Sequence, residues 1–481
     1  MNKTFKFPSQ IRVASLLCCS AAVLLTACGG GEPVHARPMQ AAQTAGLIGS
    51  SALAQERPAV SQGTEMNHAA PAAPGQAKAT SEADFALAGY EGGPFAGDDS
   101  STPSVQMTAS STPSVQMTAG GSTAASLTGG TVSPAYVVPA TTYKLYVSPY
   151  GNDANSGTAA APFKTLARAA RSTRPSTTVF VAPGTYYGGL RTTIHGSATG
   201  KIYYVSTTKH GAIIRPSGSA NFAWDNRGNY VEIIGFRVNG TGGPWKNGIY
   251  NGGSYDVIKG NWVHHIAKGV GCTSSGGSAI GIDSYYRGVK SDAIGNLVHD
   301  IGPAGCRYIQ GIYMSTSGQV KNNVVYRVAE GAIHLWHDAN NVIITNNTVT
   351  TSHTGIIVGG GDYYHTSGPS NYNRVYNNIV YDNAMGISEQ GRTGTSNTYR
   401  NNLVYQNPTY NWRLFNGLTH TGTVTSAPYF VAYTRTGTPD LRLTSSSPAI
   451  GRGTSTDALA YDYLERPRNT STGFDIGAYQ K

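Results

Sequence analysis

Charge is scarce in this chain. Of 481 residues only 12% are Asp, Glu, Lys or Arg, while glycine (60) and tyrosine (30) are plentiful. That balance argues for tight turns and long strands. Cysteine is sparse too, five in all. Cys18 and Cys19 fall in an N-terminal leader and Cys28 at its end, which leaves Cys272 and Cys306 as the one pair open to disulfide chemistry in an oxidising compartment. No long apolar run serves as a final membrane anchor. Val13 to Ala27 follow Lys3, Lys6 and Arg12 in the manner of a signal peptide over residues 1–27, too short to span a bilayer. Residues 29–141 lack any sustained apolar period and carry a tandem copy, STPSVQMTA, at 101–109 and 111–119. Such a stretch cannot bury enough surface to fold, so residues 28–141 read as a disordered low-complexity tether. As a random coil of about 110 residues it would span roughly 60 Å.

The rest of the chain repeats. Between residues 322 and 360 a phrase returns after 24 residues: Asn322-Asn323-Val324-Val325 is answered by Asn346-Asn347-Thr348-Val349, and Ala332-Ile333 by Gly355-Ile356. β-Branched residues at alternate positions on such a period are the coils of a β-solenoid. The second asparagine recurs at 261, 296, 323, 347, 378 and 402. Stacked coils would line these side chains into an inward amide ladder. The Gly-Ile phrase recurs at 248–249, 281–282, 311–312, 332–333 (as Ala-Ile), 355–356 and 386–387. With each Ile inward, the next residue faces solvent.

Charge becomes informative once the chain is divided. Residues 28–141 carry 3 basic against 8 acidic residues, and residues 142–481 carry 29 against 17. The basic excess belongs to the repeating part and points to a polyanionic partner.

Tyr143 to Leu190 read as a strand, a turn cluster, a short helix with Phe163, Leu166, Ala167 and Ala170 on one face, and a second strand. This stretch closely resembles the N-terminal cap of bacterial extracellular right-handed parallel β-helix proteins of the pectate-lyase-like superfamily. Residues 447–480 resemble the segment that closes the same proteins. The resemblance implies an all-β, single-stranded right-handed parallel β-helix over residues 142–481. Its N-terminal helix would cap strand edges that otherwise invite aggregation. Leu25-Thr26-Ala27-Cys28 resembles a bacterial lipoprotein signal, with Cys28 lipidated. Gly29 in place of Asp then implies the outer membrane; an ordinary secretory signal would imply a secreted or periplasmic protein. An exported chain is not expected to meet nucleic acid. The expected partners are an acidic polysaccharide and, through the lipid, a membrane, with the protein a monomer.

The repeat register assigns positions. Cys272 lies 11 residues after Asn261, and Cys306 lies 10 after Asn296. Strands on adjacent coils are about 4.8 Å apart, within disulfide reach, so a Cys272–Cys306 bond is expected. The outward residues after each Ile read Tyr250, Asp283, Tyr313, His334, Ile357 and Ser388. Two residues on they read Gly252, Tyr285, Ser315, Trp336, Gly359 and Gln390. Long turns at 268–280, 302–310 and 359–372 flank the short coil carrying His334, so a notch is expected there. A second outward column, His264, His299, Tyr326, Thr350, Tyr381 and Tyr405, is the alternative site, with His265, Asp300 and Arg327 at its corner.

Many proteins of this look are polysaccharide lyases, and the resemblance implies β-elimination on a uronate-containing glycan. That reaction needs a carboxylate neutraliser, a base for the C5 proton and an acid for the leaving oxygen. His334 and Tyr313 are the candidate base and acid, with Asp283 beside them as a third catalytic candidate. Arg287, Lys290, Arg307 and His337 are candidate neutralisers, and Trp336, Tyr285 and His365 would line the sugar path. A uronate epimerase would use the same groups. A glycoside hydrolase needs two carboxyl groups, for which Asp283 and Asp338 are the available pair. A non-catalytic glycan-binding or adhesion protein would use the same groove. The chain departs from the resemblance in lacking the clustered aspartates of a calcium site and the Asp-Asp pairs of pectin hydrolases. No metal site is assigned, and calcium stays open through the resemblance alone.

Overall fold

The computed structural model describes residues 138–481. The leader, Cys28 and nearly all of the tether lie outside the described residues. The described chain winds through nine coils, each laying one strand in each of three parallel sheets. Sheet I has eleven strands, from Tyr143–Val147 to His420–Thr421. Sheet II has nine, from Gly184–Tyr187 to Leu403–Tyr405, and sheet III nine, from Leu190–Thr192 to Tyr410–Arg413. Neighbouring strands come from successive coils: Gly331–Leu335 pairs in parallel with Ile309–Met314 on one side and Thr354–Gly360 on the other. This is the expected right-handed parallel β-helix.

The amide ladder runs through its interior. Asn261, Asn296, Asn323, Asn347, Asn378 and Asn402 are all fully buried. Each side-chain oxygen from Asn296 onward accepts from the backbone N–H and the amide of the asparagine one coil earlier, as where Asn347 accepts both from Asn323 at 2.9 Å. The residue before each rung has a different task. Gly260, Gly295, Asn322, Asn346, Asn377 and Asn401 all sit at φ between 52° and 63°. Glycine and asparagine are the residues that enter this left-handed region at least cost, which explains why the pair reads Gly-Asn early and Asn-Asn later.

In sheet III the inward column is Ile249, Ile280, Ile312, Ile333, Ile356 and Ile387, every one inaccessible to solvent. This corrects the expected register by two residues on one coil, because Ala279-Ile280 takes the place assigned to Gly281-Ile282. Ile280 and Ile282 both point inward, so periodicity does not choose between them.

The N-terminal helix is present but short, Leu166–Ala170, capped by the Thr165 hydroxyl accepting from Arg168 N. Leu166, Ala169 and Ala170 face the core and Ala167 is exposed, so the buried stripe is shifted from the expected one. Phe163 precedes the helix and bridges to Val147. Cys272 and Cys306 are joined in a disulfide with Cα atoms 5.5 Å apart.

The C-terminal segment departs from the expectation that it closes the far end. It folds back along the flank of the solenoid. Phe430, Leu441, Leu443, Ala449, Ile476 and Ala478 pack on the outward face of sheet II against Val324, Tyr326, Ile379 and Leu403, forming a second apolar core. The left-handed asparagines anchor it. Asn401 donates to Arg452 O at 2.9 Å, Asn377 to Thr454 O at 2.7 Å, Asn346 to Asp475 O at 3.1 Å and Asn322 to Tyr461 O at 2.7 Å. Buried Arg468 donates to Asn322 Oδ1 at 2.9 Å. Amides that would otherwise lie unpaired beneath an apolar layer are satisfied by the segment's carbonyls.

Candidate functional site

On the outward face of sheet III, Tyr313 and His334 are direct cross-strand neighbours, with Ile357 next in the column. The rings of Tyr313 and His334 meet edge to face at 5.4 Å, and Trp336 meets His334 at 5.7 Å. Gly359, Gly361 and Gly391 leave room for the Trp336 indole, since a Cβ at any of them would come within 3 Å of it. His334 as a residue is half-buried, yet both ring nitrogens are sealed from solvent and have no hydrogen-bond partner among the described residues. Burial, with the nearby His337 second, drives its pKa down to about 3. The imidazole is therefore neutral at physiological pH, and two unpaired polar atoms in a sealed slot cost stability. Tyr313 is pushed well above its ordinary pKa by burial and then by Asp283.

The register correction moves Asp283 out of this column and into that of Ser315 and Trp336. Its carboxylate accepts from Ser315 Oγ at 2.6 Å, Tyr250 OH at 3.0 Å and Tyr285 N at 3.0 Å. It is a tie between coils.

The expected notch is roofed. Residues 362–368 fold back from the strand Thr354–Gly360 across two neighbouring strands to the turn after Gly277–Ile282. His365 Nε2 reaches Ser284 O at 2.9 Å. Asp338 organises this loop, accepting from the backbone N–H of Tyr364, His365 and Thr366, from Thr366 Oγ1 at 2.9 Å and from Ser284 Oγ at 2.9 Å. Burial alone would raise its pKa, but these hydrogen bonds outweigh it and hold the carboxyl below its ordinary value.

The loop delivers a residue that periodicity missed, Tyr364. Its ring stacks on His337 at 3.9 Å. His337 Nδ1 lies 2.7 Å from Asp362 O, which can only accept, so Nδ1 carries the proton. Nε2 then has its lone pair free to accept from the Tyr364 hydroxyl at 2.7 Å. Burial, followed by the negative charges of Asp283 and Asp338, raises the Tyr364 pKa and keeps the phenol protonated. The result is an exposed hydroxyl with an imidazole acceptor already in place.

The remaining candidates divide. Tyr285 is exposed, its ring 5.4 Å from that of Tyr364. Arg287 and Lys290 lie exposed on the following turn, Lys290 at its far corner just before the sheet I strand Ser291–Ile294. Arg307 does not join the gathering. It sits beside Cys306 before the strand begins, six residues ahead of Tyr313, or roughly 20 Å along an extended chain.

The alternative column on sheet II has the expected register, His264, His299, Tyr326, Thr350, Tyr381 and Tyr405. Tyr326 and Tyr381 in this column pack under the C-terminal segment. Its histidines are already committed. Arg237 Nε donates to His264 Nε2 at 3.0 Å, so His264 carries its proton on Nδ1, which donates to His265 Nδ1 at 2.8 Å. Trp262 Nε1 donates to His299 Nε2 at 2.7 Å, which places the His299 proton on Nδ1, facing Asp300 at 2.6 Å. Arg327 clamps both Asp300 oxygens at 2.7 and 2.8 Å. His265, His299 and Asp300 offer ligand atoms within 4.8 Å of one another. A cation held by His299 Nδ1 and Asp300 would have to displace the Nδ1 proton and compete with Arg327 for the carboxylate, and calcium, which takes six to eight oxygens, does not suit two imidazoles and one carboxylate.

A family described as a protein of unknown function, DUF1565, matches residues 149–192. No curated relative matches the chain. Among solved structures the chain is similar to pectate lyase Pel9A (17% identity, 71% of this chain and 97% of that one, TM-score 0.49). It is also similar to an alginate lyase from Paenibacillus sp. (16%, 50% and 84%, 0.34) and to the A-module of the Azotobacter vinelandii mannuronan C-5 epimerase AlgE4 (15%, 52% and 66%, 0.39). The fold assignment stands on the strand pairing itself.

Proposed function

We propose that this protein acts on an acidic, uronate-containing polysaccharide and cleaves it by β-elimination at the Tyr364–His337 pair. The observation that carries this reading is the 2.7 Å contact between the Tyr364 hydroxyl and His337 Nε2. The pair lies beside the exposed Tyr285 on a strongly basic domain. As the Tyr364 hydroxyl proton passes to His337 Nε2, the phenol oxygen can take the C5 proton. It then gives that proton to the leaving oxygen and recovers its own from the imidazolium, which accounts for both transfers of β-elimination. Arg287, on the adjoining turn, is the nearest of the proposed carboxylate neutralisers in sequence to Tyr285. His334 and Tyr313 form the floor beneath. A hydrolase is less well supported, because Asp338 is saturated by loop hydrogen bonds and Asp283 by three donors. An epimerase would share the base and the neutraliser.

The test is to incubate the purified protein with a panel of pectic, alginate and glucuronan polymers and follow the ultraviolet absorbance of unsaturated ends. Chain shortening without that absorbance would replace the lyase by a hydrolase, and binding without shortening would make the protein an adhesin. We also propose that Cys28 anchors the domain to the outer membrane through lipid. Metabolic labelling with a fatty acid should mark the wild type and not Cys28→Ser.

A further inference from the structure

Three coils before the Tyr313 row, the same outward column of sheet III carries Asp225, with Arg191 on its other side and Tyr250 following. The Asp225 side chain is 3% exposed, and two guanidinium groups meet it. Arg191 approaches through Nε at 2.8 Å. Arg227 approaches through Nε and also through Nη2, the latter at 3.0 Å. Two cations on one carboxylate leave a positive excess. The Arg191 side chain is 58% exposed and spends its Nε on Asp225, so its Nη donors are available at the surface.

Tyr286 joins this cluster from two coils away. It leans back over Gly252, where a Cβ would come within 3.0 Å of its ring, and the Arg227 guanidinium lies 3.4 Å from its centroid. Tyr286 is nonetheless 53% exposed and touches Tyr285, which in turn touches Tyr364. A continuous aromatic track therefore leads from the Tyr364–His337 pair to the two arginines.

We infer that Arg191, Arg227 and Tyr286 form a distal subsite that binds a second uronate of the same polysaccharide, its ring on Tyr286 and its carboxylate on Arg191. This rests on the function proposed above. Arg191 lies five coils before the one that carries His337, which at about 4.8 Å per coil is roughly 24 Å from the reacting pair, or about five pyranose units along the polymer. A short acidic oligomer held at the reacting pair cannot reach it, and a hexamer can.

The experiment measures binding of oligogalacturonate and oligoalginate dimers and hexamers by calorimetry, with carboxyl-reduced hexamers as the neutral comparison. The full-length protein is compared with Arg191→Gln, Arg191→Lys and Tyr286→Ala. Arg191 is exposed enough for its loss to leave the fold intact, which an unchanged thermal midpoint checks. The expected result is that Arg191→Gln weakens an acidic hexamer by roughly tenfold to a hundredfold, the yield of one charge-assisted pair. Arg191→Lys should recover part of that loss, and the dimer should be unaffected. Tyr286→Ala should weaken the hexamer as well. Equal hexamer affinity in wild type and variants overturns the subsite while leaving the proposed reaction standing. An equal loss for acidic and reduced hexamers overturns its anionic character. A wild type that binds none of the acidic oligomers overturns both the subsite and the reaction.

Discussion

Replacing Asn347 with alanine removes five hydrogen bonds from the middle of the ladder. Its oxygen accepts from the Asn323 backbone and amide, both at 2.9 Å, and its amide donates to Val320 O at 2.8 Å, Asn378 Oδ1 at 2.9 Å and Thr345 O at 3.3 Å. Asn323 keeps one amide bond, to Ala293 O, but its backbone N–H is left without a partner in a fully buried position. Each stranded buried group costs about 1–3 kcal/mol, so a total near 4 kcal/mol is expected for the backbone N–H and the half-satisfied amides together. Asn347→Asp sharpens the test. It keeps the accepting oxygens and loses the donors, so the folded state favours a protonated carboxyl and raises its pKa above the unfolded value. Its cost should be least below about pH 4 and grow by about 1.4 kcal/mol per pH unit until the folded pKa is reached. Urea unfolding followed by far-ultraviolet circular dichroism measures both variants. An alanine cost under about 1 kcal/mol, or an aspartate cost that does not change with pH, would refute the ladder as a source of stability.

Tyr364→Phe removes the hydroxyl and keeps the stacking, so turnover should drop by roughly 10²–10⁴ with KM little changed, read from initial rates on the polymer identified. His334 is held down to about 3 in the folded state against about 6.5 unfolded. Between those values the unfolded chain takes the proton first, and stability falls as pH drops. His334→Leu should therefore flatten the loss of thermal midpoint on acidification. The Cys272–Cys306 bond spans 34 residues, and the double serine variant should lose about 3–4 kcal/mol in chemical unfolding.

The ladder asparagines and the sheet II column could be read directly, because a fully buried amide and a strict strand alternation each tolerate one register. Asp283 could not be placed, since Ile280 and Ile282 are both inward and either completes the phrase. Tyr364 was hidden for another reason. It lies 27 residues from His337 on a loop whose direction is fixed by Asp338 and His365, not by any period. The first asparagine of each pair did carry a signal. A polar residue in left-handed backbone, repeated where glycine would serve, has a side chain with something to hold.

What those asparagines hold bears on the order in which the molecule can assemble. A solenoid stabilised by neighbouring coils alone can grow from any nucleus and fray from its ends. Here the coil at Asn322 is completed by Tyr461 and Arg468, 139 and 146 residues later. Such distant contacts slow folding, because a long loop must close before they form. The middle coils acquire their final partners only after the last thirty or so residues have emerged, which makes the C-terminus the closing step of folding and a truncation there a lesion in the centre of the molecule.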